Sequence, residues 1–391
     1  LVHSESQSVP ERAVYLDNHA TTCVDPRVVE AMLPFWSETY GNAASVSHAF
    51  GHEATDAVEA ARSQIAALLN ATPRDLIFTS GATEANNLAI KGVIQAAGGN
   101  VHLIVNAAEH RAVLDPARKL KRLGCELTVL PVDKYGMVDP QEVAAAIQPN
   151  TALVSVMFAN NEVGTINPVA KVGAICRERG VPFHCDAVQA VGRIPLNLAE
   201  LPIDLLSLTA HKLYGPMGVG ALYVRGGENR VPIEPLFDGG GHERRMRSGT
   251  LPVPLIVGFG KACELAMECM RDESHRIEQL RDRLWYGLSG AVTGVSVNGH
   301  PRRRLVGNLN VSFDNVDGDV LMMGLRDIAV SSGSACTSAD PQPSHVLLAM
   351  GVSDALTRAS LRFGLGRFTT VEEVEFAMTY VAETIDRLRR I

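Results

Sequence analysis

Between about residues 75 and 225, short apolar runs alternate with longer segments whose apolar residues recur every three or four positions. The runs DLIFTS, HLIVNA, ELTVLPV, TALVSVMFAN, VPFHCDA, DLLSLTA and GALYVR have the length and composition of strands. Between them, EANNLAIKGVIQAAG, LDPARKLKRLG, DPQEVAAAIQ and VAKVGAICRERG carry helical spacing. This alternation predicts an α/β fold: a mostly parallel central sheet flanked by helices. After Gly249 a long helical pattern, PLIVGFGKACELAMECMRDESHRIEQLRDRLWYGLSG, leads away from the sheet. The remainder, with strands NLNVSF and IAVSSG and helices PSHVLLAMG and VEEVEFAMTYVAETIDRLRR, reads as a smaller α+β domain. The expected division is a large domain over residues 15–265 and a small one from residues 1–14 and 266–391. The small domain carries a loop at about 328–343.

Composition narrows this picture only slightly. A chain of 391 residues favours two domains, and 46% hydrophobic with 20% charged residues is ordinary for a globular enzyme. A formal net charge of −7 argues against nucleic-acid binding. No apolar run approaches the ~20 residues that span a bilayer, so no membrane role is expected. Seven cysteines without a CxxC pair offer no zinc ribbon, and no metal site is expected. A reducing, cytoplasmic setting is the simplest reading, and the opening residues show no basic stretch leading into an apolar one.

Candidate chemistry lies where the strands end, because ligands of open α/β sheets sit beyond the carboxyl ends of strands. Gly81-Ala82-Thr83 follows one strand and opens a helix, so backbone N–H groups and a hydroxyl could take a phosphate. An ordinary threonine cap explains the same pattern. Other strand ends carry Glu109-His110, then Asn160, Asn161 and Glu162, then Asp186 and Gln189, and finally His211-Lys212. Lys212 ends an apolar strand; burial would lower its amine towards a usable base, whereas snorkelling to solvent would not. Asp186 lies in an apolar run and needs a partner: a cationic ring nitrogen, an arginine or a backbone nest. A phosphate cradle, a strand-end lysine and a buried carboxylate together match the needs of pyridoxal phosphate. GPMGVG precedes a strand rather than a helix, and GxxxxGK[ST], HExxH and GxSxG are absent, so rival motifs fail.

A series of motifs spans nearly the whole chain in order: YLDNHATTCVDPRV, GNAASVSH, FTSGATEANNLAIKG, EHRAVLD, NNEVGTINPV, HCDAVQAVGR, SLTAHKLYGPMGVGALYVR, RSGTLPVPLIVG, SSGSACTSA and SLRFGLGRFTT. The set resembles the cysteine desulfurases, fold-type I pyridoxal-phosphate enzymes of the class-V aminotransferase kind, and most of all the group that supplies iron–sulfur cluster assembly. That resemblance implies roles. Lys212 becomes the Schiff-base lysine, Asp186 the partner of the ring nitrogen, and His110 a ring-stacking residue that shuttles protons. Gln189 meets the ring hydroxyl, and Asn161 lies by the ring or the substrate carboxylate. Ala82, Thr83, Thr209 and His211 hold the phosphate, and Thr250 reaches the phosphate of a second subunit, which implies a homodimer. Arg362 clamps the substrate carboxylate, a task suited to a planar guanidinium.

The resemblance also gives Cys336 a purpose. It implies that this loop thiol takes sulfur from L-cysteine as a persulfide, releases L-alanine, and passes the sulfur to an acceptor such as an iron–sulfur scaffold. Selenocysteine lyase, an aminotransferase of the same fold, or an idle dimeric docking partner are the alternatives. The chain departs from the pattern in places. His19 stands where Asn or Ser is common in DNHATT, Cys23 precedes VDP in place of Pro, and Ala43-Ala44 replaces a Pro-containing pair.

Overall fold

The computed structural model of the chain describes residues 12–227, 230–332 and 342–390. Among the described residues there are twelve strands: β1 (Val14–Tyr15), β2 (Leu76–Thr79), β3 (His102–Asn106), β4 (Glu126–Leu130), β5 (Thr151–Ser155), β6 (Phe183–Asp186), β7 (Leu205–Thr209), β8 (Gly220–Val224), β9 (Val295–Asn298), β10 (Asn308–Phe313), β11 (Ile328–Ala329) and β12 (Ser360–Gly364).

Strands β2 to β8 form one sheet in the order β2-β8-β7-β6-β5-β3-β4. All its neighbours are parallel except β8, which runs antiparallel between β2 and β7. The reversal has a simple cause. The chain between Thr209 and Gly220 is too short for the crossover of a dozen or more residues that a parallel return needs. Interior strands such as β3 and β7 are buried at every residue, which is why they read as unbroken apolar runs. The edge strand β4 is largely exposed.

Helices cover both faces. On one, Ile77, Leu103, Val105 and Leu222 pack with the helices Ala82–Ala97 and Arg111–Arg122. On the other, Phe78, Ile104, Phe183 and Leu208 pack with Ala49–Leu69 and the first half of a 39-residue helix, Val253–Ala291. The helix Ala49–Leu69 precedes the alternation that begins near residue 75. Its buried Ala54, Val58, Ala61 and Ile65 do show helical spacing, and Asn70 closes it in the left-handed region at φ 47°.

The long helix contributes Val253, Phe259 and Leu265 to the sheet core, and Ile277, Leu284 and Leu288 to a second core. That second core lies against the antiparallel sheet β12-β10-β9 and the helix Val371–Leu388. Strand β1 pairs with β11, and Asn18 N donates to Gly364 O at 3.1 Å. The chain then leaves the second core, so residues 19–22 arrive at the carboxyl ends of the large sheet.

Candidate active site

A cleft of about 580 Å³ opens at these strand ends. It is lined by ten of the residues singled out by sequence: Ala82, Thr83, His110, Asn161, Asp186, Gln189, Thr209, His211, Lys212 and Arg362. Thr250 is exposed and does not line it, and Cys336 lies outside the described residues.

Asp186 ends β6 and is buried. Its Oδ2 accepts from the side-chain amide of Asn86 at 2.7 Å, and its Oδ1 from Val188 N at 3.1 Å. Both donors are neutral; neither an arginine nor a full nest answers the carboxylate. Asn86 was not singled out by sequence. It occupies the buried face of the helix Ala82–Ala97 between Ala85 and Ala89, and a polar residue on an apolar stripe is the signal that finds it. Glu109 lies behind the site, fully buried, and accepts from Met157 N at 2.6 Å. Burial and the nearby Asp186 push its carboxyl well above the usual range.

Lys212 follows β7 in a short 3-10 turn. Its Nζ donates to the carbonyls of His19 and Ala20, so the lysine is not snorkelling to solvent. The loop presenting those carbonyls is stitched to the lysine's own turn, with Thr22 N donating to His211 O at 3.0 Å. Burial, assisted by Lys212 and Arg193, lowers the His211 imidazole to about 4, so it is neutral. Its Nδ1 lies 3.1 Å from Thr21 Oγ1.

His110 caps the helix Arg111–Arg122, its Nδ1 accepting from Ala112 N at 3.0 Å. An acceptor nitrogen carries no proton, so the neutral ring holds its proton on Nε2. Burial lowers its pKa, Asp186 opposing and Lys212 reinforcing the shift.

At the other end of the cleft the helix Ala82–Ala97 begins without a side-chain cap. Gly81 is its N-cap residue, at φ 151°, and Thr83 lies within the first turn, which removes the threonine-cap explanation. The uncapped N–H groups suit an anion. Thr209 Oγ donates to Val219 O at 3.0 Å and would offer an incoming phosphate an acceptor unless it rotates. Arg247 pairs with Glu84 of this first turn at 2.8 Å.

Arg362 on β12 binds Asp17 Oδ1 at 2.6 Å, Ser331 Oγ at 3.0 Å and Asn161 O at 3.2 Å. Asp17 is thus a structural carboxylate for Arg362, yet the arginine Nε–H has no partner among the described residues. Gln189 is held by His19 on both sides of its amide and by Arg193. His19, Asp17 and Arg193 were not assigned roles by sequence; each pairs with a residue far away in the chain, which nothing local in the sequence displays.

These residues fit pyridoxal phosphate. A buried carboxylate met only by neutral donors suits a cationic ring nitrogen, an uncapped helix start suits the phosphate, and a lysine lines the same cleft.

A family model described as "Aminotransferase class-V" matches residues 14–376. A protein named "Cysteine desulfurase IscS" from Anaeromyxobacter dehalogenans (strain 2CP-C) is 54% identical over 381 residues, covering 97% of this chain and 94% of that protein. The "Cysteine desulfurase" of Mus musculus is 50% identical over 391 residues, covering 100% of this chain and 85% of its own length. Among solved structures, a "NIFS-LIKE PROTEIN" superposes with a TM-score of 0.89 at 39% identity, covering 96% of this chain and 100% of that one. "SspA in complex with cysteine" gives a TM-score of 0.81 at 36% identity, over 91% and 99% of the two chains. The chain belongs to the class-V aminotransferase family and, within it, to the pyridoxal-phosphate-dependent cysteine desulfurases.

Proposed function

We propose that the cleft removes sulfur from L-cysteine, with Cys336 as the acceptor thiol and L-alanine as the co-product. The observation that carries this reading is the meeting of Asp186, Lys212 and His110 in one cleft with the uncapped start of the helix Ala82–Ala97. Pyridoxal phosphate, when bound, supplies an electron sink for the substrate carbon. Asp186 would hold its ring nitrogen, Ala82, Thr83, Thr209 and His211 its phosphate, and Gln189 its ring hydroxyl.

The chain's own groups then have separable tasks. Arg362 takes the substrate carboxylate through its free Nε–H, with Asn161 alongside. Lys212 Nζ removes the Cα proton and returns protons to carbon. His110, with its proton on Nε2, is a donor towards the cleft and stays neutral there. The Cys336 thiolate attacks the substrate sulfur, the new S–S bond forms, and the Cβ–S bond breaks. Its electron pair stays on carbon, which is protonated to the methyl group of alanine, so cysteine plus thiol gives alanine plus persulfide.

The proposal extends to a homodimer in which Thr250 of each subunit reaches the other's phosphate, and to a sulfur acceptor such as an iron–sulfur scaffold. The division into domains at about residue 265 and a cytoplasmic setting belong to it as well. All six cysteines among the described residues are free, in keeping with a reducing compartment, and no described helix is long and apolar enough to cross a membrane. The test is alanine formed from L-cysteine by the cofactor-loaded protein and by Cys336→Ala at equal numbers of sites. Wild type should form alanine and a persulfide on Cys336 detectable by mass. Equal alanine from both proteins would remove Cys336 from the reaction, and none from wild type would refute the desulfurase reading.

A further inference from the structure

His19 is 2% exposed and lines the cleft, yet its Nε2 has no hydrogen-bond partner among the described residues. A buried, unpartnered ring nitrogen is costly, and such atoms call for an explanation. Its contacts fix what kind of atom it is. Gln189 Nε2 donates to His19 O at 3.0 Å, which turns Gln189 Oε1 towards the ring, 2.9 Å from His19 Nδ1. An amide oxygen only accepts, so Nδ1 must carry the proton. Arg193 also donates to Gln189 Oε1 and lies 3.3 Å from Nδ1, a weaker approach than the 2.9 Å contact. Burial, then Arg193 and Arg362, hold His19 well below the usual imidazole range, so the ring is neutral. Nε2 is therefore a bare lone pair, and the charged groups that act on the ring, Arg193, Arg362 and Lys212, are all donors.

We propose that His19 Nε2 accepts a hydrogen bond from a donor that arrives with the occupied site. Two donors have that chemistry: the proton-bearing nitrogen of the bound amino acid, and the ring hydroxyl of the cofactor. A carboxylate does not, because two lone pairs would face each other. This rests on the desulfurase reading and adds to it a residue that reads the amino group, complementary to Arg362, which reads the carboxylate. The Nδ1 side of the ring is absorbed by Gln189, and only its Nε2 side faces the cleft chemistry.

Two variants separate the ring's ends. His19→Asn keeps a donor where Nδ1–H stood and removes the Nε2 acceptor; His19→Gln places an amide oxygen near Nε2. Calorimetric titration of the cofactor-loaded proteins with L-alanine and with propionate, which lacks only the amino group, reads the amino-acid arm. In His19→Asn, L-alanine should bind about tenfold more weakly while propionate is unchanged, with recovery in His19→Gln. The cofactor arm is the pH midpoint of the visible absorbance without ligand, which shifts in His19→Asn and returns in His19→Gln if the ring hydroxyl is the donor. Unchanged affinities together with an unchanged midpoint would overturn the inference, as would equal weakening of L-alanine and propionate. Alanine formation from L-cysteine by the wild type judges the desulfurase reading separately.

Discussion

Glu162 shows how one side chain can carry a pH dependence. It is fully buried, accepts from the Ser344 hydroxyl, and burial lifts its carboxyl from 4.5 to about 7 despite that hydrogen bond and Arg362. A raised carboxyl means the folded state binds the proton more tightly than the unfolded one. Its contribution is therefore complete below about 4.5 and fades as pH rises through about 7. Glu162→Gln mimics the protonated form at every pH. The melting temperature of the variant should gain on wild type between pH 5 and pH 8, by the equivalent of ~1–3 kcal/mol. A constant difference across that range would mean that Glu162 does not titrate there. At Asp186 charge matters more than shape. Asp186→Asn should still take up pyridoxal phosphate but form alanine roughly 100-fold more slowly or worse, measured at equal cofactor occupancy.

At the scale of elements, the cleft depends on close packing beneath the phosphate end. A Cβ on Gly220 of β8 would meet Leu208 O at 2.6 Å and the Gly81 carbonyl carbon at 2.8 Å, both backbone atoms that cannot swing aside. Gly220→Ala should lower stability by ~1–3 kcal/mol and weaken cofactor uptake, read from denaturant midpoints and the visible absorbance. The capping box of the last helix, Thr370 with Glu373, is the contrasting case. Thr370→Ala should cost about 1 kcal/mol and leave cofactor uptake unchanged.

Elements were also where the sequence was most readable. Strands buried on both faces, such as β3, β6 and β7, announce themselves as apolar runs, and the polar residue ending each run falls in the cleft by the geometry of parallel sheets. That is why Asp186, Lys212 and His110 were legible. Asn86, Asp17 and Arg193 were not, because each acts through a partner over 90 residues away in the chain, and nothing local records the pairing. The reversal of β8 was legible in the short Thr209-to-Gly220 connection.

At the scale of the whole molecule, Leu33, Trp36, Tyr40, Val46 and Phe50 are all exposed within one stretch of chain, and the Tyr40 and Phe50 rings lie 5.5 Å apart. Contiguous exposed apolar patches mark association sites. If the proposed homodimer forms through these residues, wild type should sediment as a dimer and Trp36→Glu should shift the sedimentation profile towards the monomer.

The helix Val253–Ala291 sets a different bound on the molecule. At 39 residues it runs about 58 Å. Its early turns are built into the sheet core and its later turns into the second core, with no break in its hydrogen bonding between them. Two lobes joined by a loop can melt one after the other; two lobes threaded on one rod share the loss when either gives way. A calorimetric trace should accordingly show a single heat-absorption peak, and chains severed between Ala266 and Ile277 should not regain the native melting point when the halves are mixed.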